Sequence, residues 1–146
     1  MDSSELSRYL FLAGAAPFLF LGTAHALATP FRPDDRKGLS PSDAALSEAM
    51  TRDHPLLTRR TNIWLAWVGF NLSHSLGVVV FGLFVVLLGR DADTFARNAA
   101  IALPLSLLVA LALVALAANY WFKTPLRGCI FSAVCFLAAW ALRLAG

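Results

Sequence analysis

The fold is decided by the stretch Ile63–Gly89, which reads IWLAWVGFNLSHSLGVVVFGLFVVLLG and contains no Asp, Glu, Lys or Arg. It is longer than the roughly 20 apolar residues that a helix needs to cross a bilayer. Polar side chains nevertheless cluster within it, at Asn71, Ser73, His74 and Ser75. Polar groups are costly in hydrocarbon unless another group satisfies them. The stretch therefore predicts a membrane-spanning helix that contains either a packing device or a functional site.

The composition of the whole chain is that of a membrane protein. Of its 146 residues, 58% are hydrophobic and 14% are charged, whereas soluble domains carry about 25% charged residues. Apolar runs predict four spans at about 9–28, 63–89, 99–120 and 126–143. We therefore expect a single-domain, all-α integral membrane four-helix bundle surrounded by the lipid bilayer. The net charge of +3 does not indicate nucleic acid, because the basic residues flank the apolar runs.

The first span could in principle be a cleaved signal peptide. Ala26-Leu27-Ala28 has the form of a signal-peptidase site. However, Asp2 and Glu5 precede the apolar run, where a signal peptide would be positively charged. We therefore predict a retained first helix.

A short helix is predicted in the loop 29–61. Ser40 is expected to cap it, with Pro41 at its first helical position. Four apolar residues would then share one face, which favours a helix lying on the membrane surface. They are Ala45, Leu46, Ala49 and Met50.

The basic residues predict an orientation. Both termini and the loop 89–98 would share one side of the membrane, with Arg8, Arg90, Arg97 and Arg143. The other eight Lys and Arg residues fall in the loops 29–61 and 122–127. The positive-inside rule then places the loop 29–61 in the cytoplasm of a multi-pass inner-membrane protein.

Counting depth at about 1.5 Å per helical residue brings polar side chains from three spans into one half of the membrane. His25 lies about one turn from the loop end of the first span, and shallower than His74. Asn119 lies near the end of the third span on the same side. Asn71, His74 and Ser75 are three or four residues apart and share a face. The predicted ligand-binding set is His25, Asn71, His74, Ser75 and Asn119.

Three interpretations of this set stay open. In the first, the side chains only hydrogen-bond neighbouring helices and fix their register. In the second, they line a pocket for a lipid-like, isoprenoid-like or quinone-like molecule, with or without catalysis by a histidine acting as acid, base or donor. In the third, haem b binds between His25 and His74, as in an electron carrier. No Asp or Glu lies inside a predicted span, so we expect no metal site with carboxylate ligands.

Small residues form a ridge beside the polar face. Gly69, Ser73 and Gly77 are each four residues apart, and such a spacing lets a neighbouring helix approach closely. The ridge predicts helix packing, either within the chain or against a second copy or a partner helix. The second case would make the chain a structural or assembly subunit of a membrane complex.

Two histidine motifs resemble those of a group of small uncharacterised bacterial four-helix membrane proteins. Gly22-Thr23-Ala24-His25 is similar to a G-T-x-H element that ends their first helix. Gly69-Phe70-Asn71-Leu72-Ser73-His74 is similar to a G-F-N-x-S-H element in their second helix. The resemblance covers nearly the whole chain and implies the same fold with a retained first helix. It implies no activity.

Overall fold

The computed structural model describes residues 2–145, and every regular element in that range is an α-helix. Four of the helices are long and apolar enough to cross a membrane. The predicted fold, an all-α integral membrane four-helix bundle with a short helix in the first loop, is confirmed. The chain forms two compact units. One is Gly22–Gly77, and the other contains the described residues before Gly22 and after Gly77. The helices are α1 (Ser3–Ala28), α2 (Ala44–Arg52), α3 (Ile63–Gly89), α4 (Ala92–Tyr120) and α5 (Lys123–Ala145).

The core of the bundle lies in the unit outside Gly22–Gly77 and contains side chains from all four long helices. The ring centroid of Phe11 lies 5.3 Å from that of Phe95 and 5.6 Å from that of Phe136. Each of these rings is at most 1% exposed. Lipid chains are as apolar as this core, so close packing and not transfer from water stabilises the bundle. The four helices contribute, in chain order, Phe11, Val85, Phe95 and Phe136.

Several glycines in this unit, Gly14 and Gly82 among them, allow side chains to lie directly on a helix backbone. A Cβ at Gly14 would lie 2.4 Å from the ring of Phe136, and a Cβ at Gly82 would lie 2.8 Å from Leu19. Both contacts are shorter than two carbon atoms tolerate. The glycines therefore set the close fit of α1 against α5 and α3.

The residues that follow α1 end the helix and satisfy its last carbonyl groups. The residue before a proline disfavours helical backbone, and Pro30 follows directly after Thr29. The carbonyl of His25 accepts both the N–H of Thr29 (3.1 Å) and its hydroxyl (2.9 Å). The carbonyl of Ala28 accepts the N–H of Leu39 at 3.1 Å. Thr29 is 0% exposed, so the chain leaves the helix inside the protein with these carbonyls satisfied.

The loop helix starts later than predicted. The N-cap of α2 is Asp43, whose carboxylate accepts the N–H of Ala45 at 2.8 Å. Ser40 does not cap it, because its hydroxyl accepts the N–H of Lys37 (2.9 Å) and donates to the carbonyl of Asp35 (2.8 Å). Those local bonds hold Ser40 in a turn before the helix.

The apolar side of α2 faces outward. Leu46 is 52% exposed, and Ala45 and Ala49 are also exposed. Ser47 is the residue that α2 buries, at 2% exposure. An exposed apolar side on a short extramembrane helix suits contact with a membrane surface.

The loops predicted at 89–98 and 122–127 are mostly helical. α4 begins at Ala92 and α5 begins at Lys123. Span prediction counts uncharged residues, so it omits the helical turns that continue past the hydrocarbon. Pro125 lies in the first turn of α5, where its missing N–H would have no helical acceptor in any case.

Candidate functional site

Two of the three histidines lie against each other within the unit Gly22–Gly77. The rings of His25 on α1 and His74 on α3 have centroids 5.3 Å apart and planes at 69°. Both side chains are half-buried. The sequence predicts that both lie in one half of the membrane, and in the structure their rings are in contact.

His25 and His74 lie at different distances from the ends of their helices, yet their rings meet. α1 ends three residues after His25, whereas His74 lies about 16 Å along α3 from its start, at about 1.5 Å per residue. The first turns of α3 run beside the non-helical chain that follows α1. Trp64 makes this contact, since its Nε1 donates to the carbonyl of Phe31 at 3.4 Å. The distance of His25 from the end of α1 and the distance of His74 from the start of α3 are therefore measured from different points and cannot be compared directly.

Asn71 orients the ring of His25. The Nδ2 of Asn71 donates to the carbonyl of Trp67 at 2.8 Å, and its Oδ1 lies 2.9 Å from Nε2 of His25. A flipped amide would set two acceptor oxygens against each other at Trp67, so the network determines the amide orientation. An amide oxygen only accepts, so Nε2 of His25 is the donor. In a neutral ring the lone pair then lies on Nδ1.

Ser75 and Asn119 form their hydrogen bonds within their own helices. Ser75 is 2% exposed, and its hydroxyl donates to the carbonyl of Asn71 at 2.9 Å. Asn119 is exposed on α4, which belongs to the other unit, and its Nδ2 donates to the carbonyl of Ala115 at 2.8 Å. Such bonds to the preceding turn satisfy polar side chains without a partner helix. The polar contacts between helices in the cluster therefore come from the two histidines and Asn71.

The predicted small-residue ridge does not pack against another helix of the chain. Gly69, Ser73 and Gly77 are exposed, and a Cβ at either glycine would meet no atom within 4 Å in the part of the chain that the structure describes. The hydroxyl of Ser73 donates to the carbonyl of Phe70 at 2.9 Å. The side of α3 that carries Asn71 faces α1, and this ridge turns outward. Of the two alternatives predicted for this ridge, contact with a second copy or a partner helix stays a prediction.

Two tryptophans near the cluster have roles that the sequence analysis did not assign. The carbonyl of Trp67 fixes the Asn71 amide. Trp64 is 2% exposed and its ring lies 5.4 Å from that of Trp67. The spacing of four residues between Trp67 and Asn71 could have predicted the first contact, because asparagine in a helix can bond to the preceding turn.

The geometry of the histidine pair does not fit haem. Two axial ligands approach the iron from opposite faces of the macrocycle, so the porphyrin must lie between them. The rings of His25 and His74 instead touch, and Nε2 of His25 is bonded to Asn71. Among residues 2–145, no group of three or more His, Cys, Asp or Glu side chains could hold a metal ion.

The fold and the cluster define a class: a four-span integral membrane protein in which two histidine rings touch inside the spanning helices, one of them hydrogen-bonded to an asparagine. No protein-family model, curated protein or solved structure matches the chain. The function is therefore argued from the residues and their geometry.

Proposed function

We propose that His25, Asn71 and His74 form an intramembrane binding site for a lipid-like or quinone-like molecule. The observation that carries this proposal is the contact between two imidazoles, one of them held by Asn71. Ionisable side chains inside spans are rare and costly, and they commonly mark ligand or proton sites.

The hydrogen bond between His25 and Asn71 contributes to helix packing, and such an interhelical bond in a membrane averages roughly 0.6 kcal/mol. The ring of His74 lies against the ring of His25. A ligand of this pair would therefore meet two imidazoles, from two helices, at one place.

The pair suits a molecule that carries both a hydroxyl and a carbonyl oxygen. Nε2 of His25 donates to Asn71, so Nδ1 of the neutral ring can accept a hydrogen bond from a hydroxyl group. An imidazole can also donate an N–H to a carbonyl. Quinones with their quinols, and lipid esters and alcohols, offer these groups. Both rings are half-exposed, so a molecule in the bilayer can reach them.

Assembly with a partner helix is the second candidate function. The outward position of Gly69, Ser73 and Gly77 favours it, because small residues on a lipid-facing side allow close approach of another helix. A second copy of the chain or another membrane protein would fill this role.

The proposal also includes the protein's family and its location in the cell. The final residues of the two motifs, His25 and His74, touch each other, which supports membership of the bacterial group with the G-T-x-H and G-F-N-x-S-H elements. The basic residues of the loop 29–61 support an inner-membrane protein with that loop in the cytoplasm.

Native mass spectrometry of protein purified from its membrane tests the binding proposal. The wild type should carry a molecule of defined mass. His74→Ala should lose it by about tenfold, the equivalent of one hydrogen bond of about 1.4 kcal/mol. Asn71→Leu should also lose it, because His25 is no longer oriented.

Asn119→Leu is the matched control. It removes an amide from a spanning helix, but that amide bonds to its own helix, so ligand content should stay at the wild-type level. Equal ligand content in wild type and His74→Ala would contradict the proposal. Loss of an oligomer in Gly69→Leu, with ligand content unaffected by His74→Ala, would favour the assembly function.

A further inference from the structure

The segment that joins α2 to α3 is a loop whose two ends are hydrogen-bonded together. The carbonyl of Asp53 accepts the N–H of Ile63 at 3.0 Å. Nδ1 of His54 donates to the carbonyl of Thr61 at 2.6 Å. Loops with ends tied in this way form compact surface units that are frequently functional. We call residues 53–63 the closed loop.

The tip of the closed loop displays two leucines in full. Leu56 is 109% exposed and Leu57 is 95% exposed. A single exposed leucine is ordinary, but burial of a leucine side chain is favourable, and here two neighbouring leucines stay exposed on an ordered turn. That turn is closed by a bond from the N–H of Thr58 to the carbonyl of Pro55, at 3.1 Å. The two leucine side chains are therefore placed to contact an apolar surface outside the chain.

Two cations follow the leucines after one intervening residue, Thr58. Arg59 and Arg60 are both exposed. Within residues 2–145, the ion pair that the structure contains joins Arg52 to Glu48, so neither arginine of the closed loop is neutralised by a carboxylate there. Guanidinium groups bind phosphate through paired hydrogen bonds.

The bilayer surface is the apolar and anionic medium nearest to this loop. α3 enters the membrane from Ile63, and the closed loop is bonded to that residue. Leu57 is six residues from Ile63 and thus within about 20 Å of it, even for extended chain. Apolar side chains next to arginines are typical of segments that lie at the boundary between headgroups and acyl chains.

We propose that the closed loop docks on the bilayer surface and binds anionic phospholipid. Leu56 and Leu57 enter the boundary of the acyl chains, and Arg59 and Arg60 bind headgroup phosphates. This site is separate from the histidine cluster and does not depend on it.

Fluorescence quenching in nanodiscs tests the depth of the tip. Leu57→Cys, in a background where Cys129 and Cys135 are changed to alanine, is labelled with an environment-sensitive dye. The dye should be quenched by a lipid-attached quencher and protected from aqueous iodide. The matched control is Asp34→Cys, at an exposed charged position of the long loop, where iodide should quench.

Two other outcomes would overturn the proposal. If iodide quenches the dye at Leu57→Cys as strongly as at Asp34→Cys, the tip lies in water. If neither quencher reaches it, protein covers the tip, as a second copy or a partner would.

Arginine variants test the lipid class. Native mass spectrometry from nanodiscs of mixed phosphatidylglycerol and phosphatidylcholine reports which lipid the protein retains. Arg59→Gln and Arg60→Gln should each lower the preference for phosphatidylglycerol by about fivefold. Arg52→Gln is the control, because that arginine already pairs with Glu48. An unchanged preference in the double variant of Arg59 and Arg60 would overturn the assignment to anionic lipid.

Discussion

Removal of the Phe136 ring should leave a cavity in the bundle with a cost that can be worked out. The ring is 0% exposed and lies 5.6 Å from that of Phe11 and 6.3 Å from that of Phe18. In a soluble protein, Phe→Ala loses a transfer term and adds a cavity term. In a bilayer the transfer term falls away, because a separated helix exposes the ring to lipid. A cavity of about 100 Å³ at about 24 cal/mol per Å³ then costs about 2.4 kcal/mol.

Phe131→Ala is the matched control for Phe136→Ala. Phe131 lies on the same helix and is 51% exposed, so its removal leaves no cavity. Equilibrium unfolding in mixed micelles, with increasing denaturing detergent, gives the free energy of unfolding of both variants. Phe136→Ala should be less stable than Phe131→Ala by about 2 kcal/mol, from the cavity term alone. Equal stability of the two variants would refute the packing of α5 against α1 through this ring.

Two further predictions concern backbone fit and helix capping. Gly82→Ala should lower the free energy of unfolding by about 1–3 kcal/mol, because its Cβ would lie 2.8 Å from the side chain of Leu19 and 3.3 Å from its backbone nitrogen. Gly69→Ala, which meets open space, should raise it by up to about 1 kcal/mol in the same micelle unfolding assay. Hydrogen bonds from the side chain and backbone of Thr94 hold the pKa of Asp91 below its usual range. The contribution of this cap to α4 is therefore full above the ordinary aspartate pKa and lost as pH falls through the lowered one. Hydrogen exchange should show less protection of the Thr94 amide in Asp91→Ala at neutral pH, and a convergence of variant and wild type in strong acid. A constant difference at all pH values would contradict this.

The sequence predicts the four spans because uncharged apolar runs of membrane length have few other structures open to them. The ends of the helices depend instead on which of several competing local hydrogen bonds forms. Asp43 caps α2 because the hydroxyl of Ser40 is engaged in the preceding turn. Likewise α4 begins in charged sequence, at Ala92, which a count of apolar residues passes over.

The site could be predicted in part for a similar reason. His25, Asn71 and His74 stand out because polar groups inside spans are rare, and the structure joins them. Ser75 and Asn119 stand out equally in the sequence, but each bonds to its own helix, an outcome that spacing alone does not distinguish. The contact between His25 and His74 could not be predicted by counting residues from the helix ends, because the first turns of α3 run beside the chain that follows α1.

The outward ridge on α3 illustrates a further limit. A small-residue repeat shows that a helix can be approached closely, but not which neighbour approaches it. Within the described chain, close contact occurs instead at Gly14, Gly82, Gly89 and Gly128, where bulky side chains from other helices fit over the backbone.

The central claim is that His25, Asn71 and His74 form a ligand site, and nitrogen-15 NMR of histidine-labelled protein in bilayers tests it most directly. The chain has three histidines, and His54 serves as the internal reference because its Nδ1 donates to a carbonyl in the closed loop. His25 should be protonated on Nε2. Removal of the co-purified molecule, with the surrounding bilayer kept the same, should shift the His25 and His74 resonances while His54 stays unchanged. A His25 ring protonated on Nδ1 alone, or His25 and His74 resonances that removal of this molecule leaves in place, would contradict the claim.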